Sequence, residues 1–90
     1  MLVVARTHQF KKDWKKLRTS GKNVDPVRLV MESIQKEEQL SPIYDDHPLH
    51  GRLQGHRCCH PQSDTALIYY VAGGTVTFER VGSHAELFEM

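Results

Sequence analysis

Ninety residues, 39% of them hydrophobic and 26% charged, are enough for one domain with a modest core and too few for two. The only apolar run near the start, Leu2 to Ala5, is far too short for a signal core or a membrane span, so a cytoplasmic location away from membranes is expected. A net charge of +1 conceals segregation: residues 1–23 carry Arg6, Lys11, Lys12, Lys15, Lys16, Arg18 and Lys22 against Asp13 alone, while residues 24–46 are net acidic.

In chain order, residues 1–6 read as a short first strand. From His8 to about Thr19, Phe10, Trp14 and Leu17 recur on one face of a helix, with lysines on the other. Gly21 is placed to end that helix. Asp25 and Pro26 predict an N-cap and first turn. The second helix should run to about Gln39 and bury Val27, Val30, Met31 and Ile34. Two helices joined by a short polar link form a hairpin. Leu40 to Gly51, with Pro42 and Pro48, reads as a loop. Gly51 to His60, Thr65 to Val71 and Thr75 to Val81 read as strands. The last two are joined through Gly73-Gly74, a pair favoured in tight hairpins. Ser83 then caps a short helical turn through Phe88. The expected fold is α+β, a two-helix hairpin packed on a four-stranded, mainly antiparallel sheet whose other face stays free for a site.

Chemistry concentrates in the second half. Arginine offers a planar, permanently charged fork for phosphate. Histidine gives or takes a proton near neutral pH. Arg80 and His84, with His47, His60 and Asp64 upstream, therefore point to work on a phosphodiester. All but His84 have a plainer use: His47 as a turn residue, His60 and Asp64 as a structural pair, Arg80 as a surface partner of Glu79, Glu86 or Glu89. The basic set Lys11, Lys12, Lys15, Lys16, Arg18 and Lys22 suits an RNA backbone, or simply a solvated helix face. Asp45 and Asp46 read as solvated loop carboxylates, and His8, His50 and His56 as surface residues. Val76, Phe78 and Arg80 would share one face of an ideal strand, which mixes core with site.

The segments Tyr44-Asp45-Asp46-His47-Pro48-Leu49-His50-Gly51, Gly55, Arg57, His60, Asp64, Leu67-Ile68-Tyr69 and Phe78-Glu79-Arg80 to Phe88 resemble the RelE superfamily of bacterial toxin ribonucleases, and within it the YafQ-like branch. The resemblance spans residues 44 to 88. It implies an endoribonuclease toxin of a type II toxin–antitoxin system that cuts mRNA in the ribosomal A site and is held by a cognate antitoxin. The reaction it implies uses no metal or other cofactor: the ribose 2′-OH attacks the adjacent phosphate. The implied site is His47, His60, Asp64, Arg80, His84 and Phe88. His84 would be the acid, His60 with Asp64 the base, and Arg80 the phosphate clamp. His47 would orient the backbone or share the base role, and Phe88 would stack on a nucleobase. Two positions depart from the pattern: Thr65 replaces an aromatic residue and Cys58 an acidic one. A degenerate toxin that only binds antitoxin or ribosome is one alternative. A small metal-binding regulatory module on His56, Cys58, Cys59 and His60 is the other. Adjacent cysteines cannot bridge distant parts of the chain, and free thiols are expected.

Overall fold

The computed structural model describes residues 1–88. Its elements are β1 (Val3–Arg6), α1 (His8–Thr19), α2 (Asp25–Gln35), β2 (His47–Pro48), β3 (Arg57–Gln62), β4 (Thr65–Ala72), β5 (Thr75–Ser83) and α3 (His84–Phe88). Among the described residues the sheet has five strands in the order β1-β5-β4-β3-β2, not four. Only β1 and β5 run parallel; the other pairings are antiparallel. The extra strand, β2, lies inside the segment expected to be loop. Two residues, one of them Pro48, carry no alternation, and Pro48 is tolerated because β2 is the sheet's edge.

The start of α1 is set by Thr7, whose hydroxyl accepts the Phe10 N–H at 2.9 Å. The helices pack one face of the sheet through Phe10, Leu17, Val27, Val30 and Ile34 against Cys59, Leu67, Tyr69, Val76, Phe78 and Val81. Met31 is only half-buried at the margin of that core. Phe10 packs on Phe78 with ring centroids 5.8 Å apart. Burying an aromatic side chain of this size contributes on the order of 2–3 kcal/mol.

Helix α2 departs from expectation at both ends. Val24 is its N-cap, Asp25 is already helical, and the Asn23 side chain accepts the Asp25 N–H at 3.1 Å. At the other end the helix stops at Gln35 rather than near Gln39. Glu37 takes a left-handed conformation (φ 62°), with Glu37 N–H donating to Ile34 C=O and Glu38 N–H to Ser33 C=O, each at 3.0 Å. This is the Schellman closure, which usually announces itself by glycine. A glutamate there leaves no trace in the sequence.

The Gly51–His60 stretch is not one strand. Gly51–Leu53 is a 3-10 turn, and β3 begins only at Arg57. The hairpin of β4 and β5 is as expected: Ala72 faces Thr75, and Gly73 and Gly74 both have positive φ, 57° and 77°, which only glycine adopts freely.

Two bulges shape the face opposite the helices. In β3, His60 and Pro61 together oppose Ala66, since Cys59 pairs with Leu67 and Gln62 with Thr65. Pro61 has no N–H to give a ladder, so an irregularity there costs least. In β5, Ile68 pairs with Arg80 and Tyr69 with Phe78, leaving Glu79 as the extra residue. That insertion removes the parity conflict. Phe78 stays in the helix-side core, and Arg80 is paired with Ile68, which belongs to the opposite face. This second face is not bare: Cys58, Ala66 and Ile68 form a small cluster under Leu49, Leu53, Leu87 and Phe88.

Candidate active site

On this second face three histidines and a phenylalanine stand in a row. His47 comes from β2 and faces Cys58 across the ladder. His60 comes from the bulge of β3, a feature that re-aims side chains. His84 opens α3, and Phe88 follows one turn later on the same side. The rings of His47 and His60 lie 6.1 Å apart at 18°, and those of His60 and His84 6.1 Å apart at 23°. His84 and Phe88 are 4.6 Å apart. Ser83 sets α3 in place with a reciprocal capping box: its hydroxyl accepts the Glu86 N–H at 3.1 Å, and Glu86 Oε1 accepts the Ser83 N–H at 3.4 Å.

Arg80 pairs with neither Glu79 nor Glu86, two of the partners expected of it. Its Nε donates to Asp13 Oδ2 at 2.7 Å and its Nη2 to Asp13 Oδ1 at 3.3 Å, which raises its already high pKa. The third expected partner, Glu89, lies outside the described residues. Asp13 also accepts the Val81 N–H at 3.2 Å, at the stretch of β5 that extends past the last β1 partner, Phe78. Two of the five guanidinium N–H groups are thus used for orientation, and three remain for an anion.

Among the described residues no bond joins Asp64 to His60. The Asp64 carboxylate is held by Lys22 Nζ at 2.5 Å, and this contact lowers its pKa. The carboxylate near His60 is instead Asp45, with Oδ2 3.7 Å from His60 Nδ1 and 3.7 Å from His47 Nδ1. Asp46 has another use. It accepts from Arg57 Nε at 3.2 Å, Arg57 Nη2 at 3.3 Å and the Tyr69 hydroxyl at 2.7 Å. These bonds tie the loop carrying His47 to β3 and β4. Neither role was legible in the sequence, where consecutive aspartates in a proline-bearing loop look solvated.

The remaining residues sort by packing. Phe88 is half-buried against the small cluster as well as beside His84. His8 and His50 are exposed, whereas His56 is half-buried with its ring 4.8 Å from that of Tyr70. Thr65 is fully buried. Of the basic set, Lys16 pairs with Glu86 at 2.5 Å and Lys22 with Asp64, while Lys11, Lys12, Lys15 and Arg18 are exposed and have no acidic partner within 4.0 Å among the described residues. Both cysteines are free and buried. Among the described residues no three His, Cys, Asp or Glu side chains are grouped to hold a metal ion.

Burial pushes the Cys58 thiol up to about 11, with Asp45 and Asp46 adding to it, and the Cys59 thiol up to about 12. Burial, then the bond to Asp46, raises the Tyr69 phenol as well. Acids whose pKa is raised by folding stabilise the native state fully below their unfolded pKa and lose that contribution as pH rises through the folded value. From ordinary values of 9.0 for the thiols and 10.0 for the phenol, the loss should set in near pH 9, with the thiol part complete by about pH 12 and the phenol part continuing beyond it. Thermal melts should therefore show Tm dropping by at least about 5 °C from pH 8 to pH 11. A level Tm over that range would remove these three groups from the stability account.

A small mixed sheet, covered by two helices on one face and bearing a histidine row on the other, defines a RelE-like toxin domain. The chain belongs to the YafQ family, described as bacterial toxin of type II toxin-antitoxin system, whose model it matches over residues 2–89. It is 36% identical over 81 residues to the mRNA interferase toxin YafQ of Escherichia coli strain K12, covering 89% of this chain and 88% of that one. Among solved structures it is similar to a copper-bound mutant toxin from Helicobacter pylori, with 35% identity, a TM-score of 0.93 and coverage of 98% of this chain and 100% of that one. It is also similar to a chain of the Escherichia coli DinJ-YafQ complex, with 32% identity, a TM-score of 0.88 and coverage of 98% and 99%. The likeness expected from residues 44 to 88 thus extends through the N-terminal half, which has no diagnostic motif of its own.

Proposed function

We propose that this toxin is a ribosome-dependent endoribonuclease that cuts mRNA in the A site without a metal. The observation that carries the reading is the row itself, with His47 and His84 on either side of His60. Cleavage of a phosphodiester by its own ribose needs a base at the 2′-OH, an acid at the departing 5′-oxygen and positive charge at the phosphorane. The 2′-oxygen bonds to phosphorus as its proton passes to the base. The P–O5′ bond then breaks, the acid protonates O5′, and a 2′,3′-cyclic phosphate remains.

His84 at one end of the row takes the acid role, and the His47–His60 pair at the other supplies the base. Arg80, oriented by Asp13, binds the phosphate. Phe88 offers its ring to a base, a stacking worth about 1–3 kcal/mol. Asp64 acts by holding Lys22 rather than by serving His60. The exposed lysines of α1 meet ribosomal RNA. A cognate antitoxin is the protein partner, a reading supported by the Escherichia coli DinJ-YafQ complex. The site of action is the cytoplasm, where the ribosomes are, and no described helix is long and apolar enough to cross a membrane.

The test is incubation of the toxin with a short message on programmed ribosomes in excess EDTA. The expected product is a single cut with a 2′,3′-cyclic phosphate end. Absence of cutting by folded protein would reduce the chain to an antitoxin- or ribosome-binding module. A cut that vanishes in EDTA would overturn the metal-free chemistry.

A further inference from the structure

We propose that Asp45 is the positioning residue of this site: it fixes His47 as the Nδ1–H tautomer and so makes Nε2 of His47 the nitrogen that accepts the 2′-OH proton. The inference rests on the ribonuclease reading above and sharpens it by naming the base.

Asp45 ends the 3-10 turn Pro42–Tyr44 in the left-handed region, φ 51° and ψ 45°, with its N–H donating to Pro42 C=O at 3.0 Å. Aspartate tolerates that conformation and β-branched residues do not. The bend brings the Asp45 carbonyl oxygen within 2.6 Å of His47 Nδ1. A carbonyl can only accept a hydrogen bond, so Nδ1 must carry the hydrogen. In the neutral ring the lone pair then sits on Nε2.

The side chain of the same residue adds a second hold, because its carboxylate faces Nδ1 of both His47 and His60 at 3.7 Å. That carboxylate is 72% exposed, so water screens it and the carbonyl is the stronger of the two holds. Among the described residues no rival orienting group reaches His47. Its cross-strand partner, Cys58, is a buried thiol. Asp46 is occupied by Arg57 and Tyr69, and Asp64 by Lys22. The bonds of Asp46 also stop the loop from drifting. As the O2′–P bond forms, the proton moves to Nε2, and the positive ring is left facing the Asp45 carboxylate. The electron pair of the breaking P–O5′ bond stays on O5′, which takes its proton from His84.

The experiment compares full-length wild type, Asp45→Asn and Asp45→Val by 15N NMR of the His47 ring and by kcat and KM on programmed ribosomes. Asparagine keeps the left-handed bend and the carbonyl and removes only the charge. Valine opposes the bend. The Nδ1–H tautomer is expected in wild type and Asp45→Asn and lost in Asp45→Val. With KM unchanged, kcat should fall about tenfold in Asp45→Asn and on the order of a hundredfold in Asp45→Val. An Nε2–H tautomer in wild type, or tautomer and kcat unmoved in both variants, would overturn the assignment. If Asp45→Val fails to fold, the wild-type tautomer and the kcat of Asp45→Asn decide. A tautomer that follows the substitutions in a protein that cuts no message would sink the ribonuclease reading and leave the hold of Asp45 on His47 standing.

Discussion

Replacing His84 with alanine is expected to slow message cleavage on programmed ribosomes by about 10²–10⁴-fold while leaving the fold intact. His84 is exposed, so its removal opens no cavity. Its ring lies 6.1 Å from that of His60 and 4.6 Å from that of Phe88. The helix that carries it is anchored by the Ser83–Glu86 capping box and by the packing of Leu87, neither of which involves the imidazole. An acid at the leaving oxygen acts only as the P–O5′ bond breaks, so the loss should appear in kcat rather than in KM. Unfolding curves identical to wild type, with cleavage reduced at least a hundredfold, would put His84 in the chemistry. Full activity in the variant would remove it from the acid role.

The second large effect is expected from reversing Lys11, Lys12 and Lys15 together to glutamate. These side chains are exposed on α1 and have no acidic partner within 4.0 Å among the described residues, so their charge is available to an RNA backbone. Lys16 and Lys22 are better left in place. Lys16→Glu would set like charge against Glu86, and Lys22→Glu against Asp64, mixing stability with binding. For every phosphate that a lysine no longer neutralises, the plot of log affinity against log salt should flatten by roughly 0.7–0.9. Three such phosphates would then give a slope lower by about 2 and association at physiological salt weaker by more than about tenfold. Ribosome pelleting over a salt series reads both. Unaltered association would return the lysines to the role of a solvated helix face.

Both expected effects depend on long-range placement. His47 and His84 are brought to one row because β2 lies beside β3 and α3 folds back over β4 and β5. Arg80 is oriented by Asp13, which sits on α1 and reaches the part of β5 that β1 leaves uncovered. Periodicity could suggest each side chain as chemically able. It could not pair them, because the partners are chosen across the sheet.

What the sequence determined by itself was local. Apolar spacing at Phe10, Trp14 and Leu17 marked α1, Gly73-Gly74 marked the hairpin, and Ser83 marked the start of α3. These signals work because the forces behind them act within a few residues: a helical face, a positive φ, a cap. The types and spacing of the residues from Tyr44 to Phe88 also carried the family. Tertiary structure alone decided the rest. A two-residue strand gains its ladder only beside β3. The bulges at His60-Pro61 and Glu79 are set by register against β4, and they part Phe78 from Arg80. Asp45 and Asp46, alike in sequence, divide between His47 and Arg57 because their partners stand on different strands, His47 on β2 and, for Asp46, Arg57 on β3 with Tyr69 on β4.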